Sequence, residues 1–313
     1  MNHPIKDDNQ LEEKTVSLVL GSGGARGLAH IGVIRWLEEN GYKIRSISGC
    51  SMGALIGGLY ATGKLNDYEE WLKQLSKTEL LGLIDVSWNS SGLIKGEKLF
   101  SKLADFLGDV QIEELDITYT AVATDIFHEK EVWLQSGLLH KAIRASISLP
   151  MIFTPFKHHD MTLIDGGVLN PVPIAPTFSE NNDLIIAVNL GGKPQENLSN
   201  TSESDHKESS ESPDWLGHLN GITETIKDFF IEKFGPQKDK SVGLDWDALD
   251  ISNRAFDSMQ NTIARQKLAS YPPDITINIP RNACGMLEFN QVDRMVKLGY
   301  KKAQQALTTR PGD

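Results

Sequence analysis

A serine that acts as a nucleophile needs its hydroxyl lifted out of the fold on a tight turn, and Gly49-Cys50-Ser51-Met52-Gly53 offers one. Gly49 and Gly53 leave room there for the backbone and for a substrate. A helix starting just after Ser51 would aim free N–H groups at developing negative charge. The chemistry served is acyl transfer. A second cluster, Gly21-Ser22-Gly23-Gly24-Ala25-Arg26-Gly27, admits two readings. As a dinucleotide fingerprint it has Ser22 where a glycine belongs, and no acid ends the second strand to meet a ribose. As an oxyanion loop it offers the backbone N–H groups of Gly23 and Gly24, with Arg26 either orienting the loop, meeting a lipid phosphate or forming a surface ion pair. The oxyanion reading is preferred.

Such a serine needs a base, and none of the eight histidines carries a local signature for it. His30 lies one turn into the first helix, where packing or capping suits it. His128, His140, His206 and His218 fall in surface or loop settings, and His158-His159 in a polar turn. No histidine follows the last strand, as the α/β-hydrolase order would require. Asp165, in Leu163-Ile164-Asp165-Gly166-Gly167-Val168, remains as either a catalytic partner or a turn aspartate. Cys50 should turn into the core, and Asp125 either hydrogen-bonds near the site or caps a loop.

The elements that must hold these residues follow from pattern. Thr15 to Leu20 is a short apolar run ending in glycines, a buried strand. Ile31, Ile34 and Leu37 then recur at helical spacing up to a Gly41 cap, and Ile44 to Ser48 is the second strand. The helix Ala54 to Ala61 stops at Gly63. Strand, helix, strand, helix implies a parallel sheet. Later strands are expected at 119–124, 131–134, 184–190 and 275–279, with helices at 251–268 and 288–307. The fold class is therefore α/β. We divide the chain into a disordered leader at 1–13, a core at 14–192, an acidic Ser-rich disordered loop at 193–213, a helical insertion at 214–270, and a strand and helix at 271–310 that return to the core. Within the insertion, Leu216, Leu219, Ile222, Ile226, Phe229 and Phe230 form an amphipathic stripe suited to a lid, a membrane contact or packing. Arg294, Lys297, Lys301 and Lys302 read as a solvated helix face.

Composition excludes several classes. A net charge of −11 would repel nucleic acid, so none is expected as a partner. It also disfavours purely electrostatic attachment to an anionic bilayer. Two cysteines allow no disulfide framework or cysteine-rich metal site, and no run of eighteen apolar residues could span a bilayer. The polar start of the sequence is unlike a secretory signal, so residence in the cytoplasm is expected. Peripheral contact at the inner membrane face and a homo-oligomer are both compatible with the sequence.

Taken in order, the glycine cluster running on to Val33, Gly49 to Gly53, Ala145-Ser146-Ile147-Ser148-Leu149-Pro150 and Asp165-Gly166-Gly167 resemble the patatin-like phospholipase family, in its bacterial branch related to neuropathy target esterase. The likeness runs through Asn170-Pro171-Val172-Pro173 and covers roughly residues 14–192. It implies a three-layer patatin-like fold with a central, mostly parallel sheet flanked by helices. It implies a Ser–Asp dyad without histidine: Ser51 as nucleophile, Asp165 as base, and Gly23, Gly24 and Arg26 around the oxyanion. The implied reaction is hydrolysis of a phospholipid or lysophospholipid acyl ester through an acyl-enzyme, with no metal or other cofactor. Soluble carboxylesters, or a non-catalytic regulatory role on the same fold, are the competing readings. Ser22 departs from a glycine that many relatives carry. A carboxyl of ordinary pKa is a weak base toward serine, so Asp165 is expected to be desolvated or tightly positioned.

Overall fold

The computed structural model describes residues 14–83, 96–150, 152–195 and 248–308. The expected leader, most of the Ser-rich loop and the amphipathic stripe at 216–230 lie outside these residues.

Eight strands form one sheet among the described residues. β1 (Lys14–Leu20), β2 (Tyr42–Cys50), β3 (Thr118–Asp125), β7 (Leu184–Gly192) and β8 (Ile275–Pro280) are mutually parallel in the order β3-β2-β1-β7-β8. β4 (Lys130–Leu134) returns antiparallel along one edge of β3, and β5 (Phe156–His158) and β6 (Met161–Asp165) form an antiparallel hairpin. The mostly parallel sheet expected from sequence is present, mixed at its β3 side. The strands expected at 119–124, 131–134, 184–190 and 275–279 are all found.

Alternation along the buried strands explains the layers. On β1, Val16, Leu18 and Leu20 join the larger apolar cluster with Leu28, Ile31, Ile34 and Leu37, while Val19 joins Ala187, Val172, Ile174 and Ala264 on the other face. The first face is covered by α1 (Ala29–Glu39), α2 (Met52–Ala61) and the last helix, α8 (Val292–Thr308). Across the sheet lies α7 (Ala248–Ser270), which supplies Ala264. α1 and α8 approach so closely that a Cβ at Gly299 would stand 1.9 Å from the Ala29 carbonyl oxygen. The remaining helices are α3 (Leu65–Gln74), α4 (Lys77–Leu83), α5 (Glu97–Leu107) and α6 (Leu139–Ser146). The sequence pattern had singled out none of these four, nor β5 and β6. These strands are three and five residues long and flank the polar pair His159-Asp160, too short for alternation to register.

Candidate active site

Two strands meet end to end on one edge of β3, and the junction is the site. β2 pairs with residues 118–122 of β3, ending at Cys50 opposite Val122. β6 runs the other way along residues 123–125, ending at Asp165 opposite Ala123. Because β4 occupies residues 121–125 from the opposite edge, β2 and β6 must share this one. Their C-terminal ends abut on adjacent residues of β3, bringing Asp165 to the residue that follows Cys50.

That residue is Ser51, and its backbone is strained. It takes φ 55° and ψ −122°, a region L-residues enter at a cost of about 1–3 kcal/mol. Two anchors hold it. Its N–H donates to the Ser146 hydroxyl at 2.9 Å, which itself donates to the Val122 carbonyl at 2.6 Å. Its carbonyl accepts from the amides of Ala54 and Leu55, the first turn of α2. Gly53 is needed for contact: a Cβ there would stand 2.0 Å from the Leu20 carbonyl oxygen.

Asp165 is fully buried. Its Oδ1 accepts from the Gly167 amide at 2.7 Å, with the Cys50 thiol 3.9 Å away, and its own amide donates to the Ser148 carbonyl. Burial pushes its carboxyl up, and the Ser51 hydroxyl and Gly167 amide pull it partly back, to about 6. The desolvation expected of this carboxyl is thus present. Oδ2 has no hydrogen-bond partner among the described residues. Gly166 lets this turn lie against β3, since a Cβ would come within 2.2 Å of the Val122 carbonyl. Cys50 is buried with its thiol pushed well up, in keeping with a packing role.

The first glycine cluster follows β1, whose Leu20 pairs with Gly49, so its loop lies beside the serine turn. Gly21 donates to Val188, Ser22 to Pro171 and Ala25 to Met286 through their amides. Between them, the Gly23 and Gly24 amides make no hydrogen bond among the described residues. They stay open as donors. Arg26 is only 4% exposed; its Nε donates to the Gly23 carbonyl, Nη1 to the Arg281 carbonyl, and Nη2 pairs with Asp257 at 3.0 Å. Of the roles considered for Arg26, loop orientation fits. A surface ion pair does not, because the guanidinium is buried, and a lipid phosphate would have to displace these partners. His30 is buried with Nε2 2.9 Å from the Gly21 carbonyl, and burial lowers its pKa to about 4. It is therefore neutral at pH 7 and donates to the loop, the packed role expected.

The DGG turn touches the glycine loop as well. A Cβ at Gly167 would meet the Ser22 hydroxyl at 2.7 Å and the Gln260 amide nitrogen at 2.3 Å, and Gln260 donates to Ser22. The sequence pattern assigns no role to Ser146, Ser148, Asp257 or Gln260. The first two lie in the Ala145–Pro150 segment already noted; the last two sit on α7, more than two hundred residues from the loop they brace, where no local pattern marks them. Asp125 bonds to the Phe127 amide and to His128, which makes it a loop cap. His140, His158 and His159 have no hydrogen bond to Ser51 or Asp165 among the described residues, and no group of three or more His, Cys, Asp or Glu side chains there is placed to hold a metal ion. No described helix is long and apolar enough to cross a membrane.

Residues 18–178 match the family model described as patatin-like phospholipase. The chain is 37% identical to an uncharacterized NTE family protein of Mycobacterium tuberculosis, over 93% of this chain and 91% of that one. It is 28% identical to lysophospholipase nte1 of Neurospora crassa, over 97% of this chain but 19% of that much longer protein. Among solved structures it is similar to VipD from Legionella pneumophila, with a TM-score of 0.46 and 14% identity, over 94% of this chain and 66% of that one.

Proposed function

The chain belongs to the patatin-like phospholipase family, a family of lipid acyl hydrolases, and we propose that it works through an acyl-enzyme on Ser51 with Asp165 as its base. One observation carries this reading: a strained serine stands beside a buried carboxyl, and among the described residues neither the carboxyl's Oδ2 nor the nearby Gly23 and Gly24 amides has a hydrogen-bond partner.

Asp165 Oδ2 takes the proton of the Ser51 hydroxyl as Oγ attacks the ester carbonyl carbon. The carbonyl oxygen becomes an oxyanion that accepts from the Gly23 and Gly24 amides; such donors typically lower the barrier by about 3 kcal/mol each. The intermediate collapses, the C–O bond to the alcohol breaks, and Asp165 returns the proton to that leaving oxygen. Water then enters, loses a proton to Asp165 and attacks the acyl-serine. As the second intermediate collapses, the C–O bond to Ser51 breaks, Asp165 returns its proton to Oγ, and the carboxylic acid leaves with both residues restored. A carboxyl pKa of about 6 suits this work, because the group is ionised at pH 7 yet a far stronger base than an exposed aspartate. Arg26 keeps the donors aimed by holding the Gly23 carbonyl. A phospholipid or lysophospholipid is the proposed substrate.

Labelling with a fluorophosphonate tests the nucleophile. Wild type should label and Ser51→Ala should not; equal labelling of the two removes the central claim. Hydrolysis of phospholipid against a short soluble ester, with Asp165→Asn alongside, then separates a lipid hydrolase from a general carboxylesterase.

A further inference from the structure

Beyond the junction of β2 and β6, the sheet continues as two neighbouring hairpin tips. β3 runs three residues past Val122 to Asp125, about 10 Å at strand rise, before turning through Ile126-Phe127-His128-Glu129 into β4. The Ile126 amide donates to the Thr162 carbonyl, and His158 pairs with Met161, so the His159-Asp160 turn lies beside this tip. Both tips therefore stand at the end of the sheet that bears Ser51.

Phe127 is 76% exposed and Ile126 46%, side by side. The tip is built to hold them out. Buried Asp125 accepts from the Phe127 amide at 3.3 Å and from His128 Nδ1 at 2.6 Å, and Glu129 closes the turn at φ 52°. A turn braced by these bonds that presents an aromatic ring to solvent gives up the free energy of burying it, which is expected where a partner buries it instead. Position identifies the partner. The tip stands at the end of the sheet that bears Ser51, and in a chain of net charge −11 the two tips set Lys130 and Lys157 against Asp125, Glu129 and Asp160, leaving little net charge around the apolar pair. An apolar pair with so little charge around it at the catalytic end fits the headgroup–acyl boundary of a bilayer.

We propose that the Ile126-Phe127 tip inserts into the surface of the lipid bilayer, setting the Ser51 end of the sheet against its substrate. The inference rests on the lipid-ester reading above, and its test is independent of turnover. Full-length protein is sedimented with phosphatidylcholine vesicles doped with phosphatidylglycerol. Phe127→Ser should bind them roughly tenfold less, or weaker still, as loss of one inserted aromatic ring implies. Phe178→Ser is the matched control: Phe178 is 51% exposed but lies at the opposite end, just before the segment whose Asp183 amide bonds to Thr15 at the start of β1. It should bind as wild type does, and wild-type binding should fall little as salt is raised, because insertion is apolar. Absence of wild-type binding overturns the proposal, as does equal binding of Phe127→Ser and wild type, or equal loss in the two variants. Vesicle binding that survives in a protein with no esterase activity would instead strike the hydrolase reading and leave the tip standing.

Discussion

At pH 8 the Asp165 carboxylate is charged in a place that excludes water, and that state opposes folding. Its pKa is raised from 3.8 to about 6, so the folded chain holds this proton more tightly than the unfolded chain. The sign follows: the group costs nothing below pH 3.8, and its burden grows as pH rises through 6, reaching about 3 kcal/mol. Asp165→Asn should therefore raise the melting temperature at pH 8, with the gain shrinking toward pH 4, as calorimetry across pH would read. The same titration governs the base. In wild type, kcat/KM for a soluble ester should climb about tenfold per unit below pH 6 and level off above it. A plateau already complete by pH 5 would show that the working base is an ordinary carboxylate. Asp165→Asn should lose about 10²–10⁴-fold in kcat at pH 8, the usual contribution of a positioned base.

At the scale of elements, the site depends on how α6 is pinned between strands. Its last residue, Ser146, ties the Ser51 amide to the Val122 carbonyl, and two residues on, Ser148 accepts from the Asp165 amide. One short segment thus fixes the backbone of both partners. Ser146→Ala removes a buried hydroxyl and leaves the Ser51 amide without its acceptor, at a cost of about 1–3 kcal/mol. With the strained serine less firmly held, the rate of fluorophosphonate labelling should fall by about tenfold while the pH at half-activity stays in place. A variant that labels at the wild-type rate would show that the β2–α2 turn sustains its own geometry. Arg144 braces the same segment from the far side: it bonds to Ser148 and Thr154 and lies over the Phe100 ring, 3.8 Å from its centroid.

Across the whole molecule, the glycine loop proposed to hold the oxyanion is braced by a helix that follows it by more than two hundred residues. α7 sends Asp257 to Arg26 and Gln260 to Ser22, while Met286, in the turn before α8, accepts from Ala25. The Ser22 hydroxyl thus ties the loop to α7 by accepting from Gln260. Asp257→Asn leaves the nearly buried Arg26 without its counter-charge. We expect a loss of about 1–2 kcal/mol in stability, below that of a fully buried pair because Asp257 is 37% exposed. We also expect kcat to fall more than KM rises, since the disturbed donors act on the transition state. Steady-state kinetics with a soluble ester, beside a melting curve, would check both; a change in KM alone would detach Asp257 from the oxyanion loop.

The sequence alone determined what short stretches control. Glycines around Ser51, an apolar run before it and helical spacing after it dictate a strand–turn–helix whatever the rest of the chain does, and the same holds for Gly21 to Leu37. These are local preferences, written within about ten residues. Asp165 could be read only as a turn aspartate or a partner, because its meaning depends on β6 meeting β2 end to end along β3, and nothing in Met161 to Asp165 encodes that pairing. Its raised pKa, the Ser146 bridge and the reach of Asp257 and Gln260 share this origin. Desolvation and hydrogen bonding between distant segments exist only once the chain is packed, so the tertiary structure decided them. Ser51 was set by its neighbours in sequence, and its surroundings by its neighbours in space.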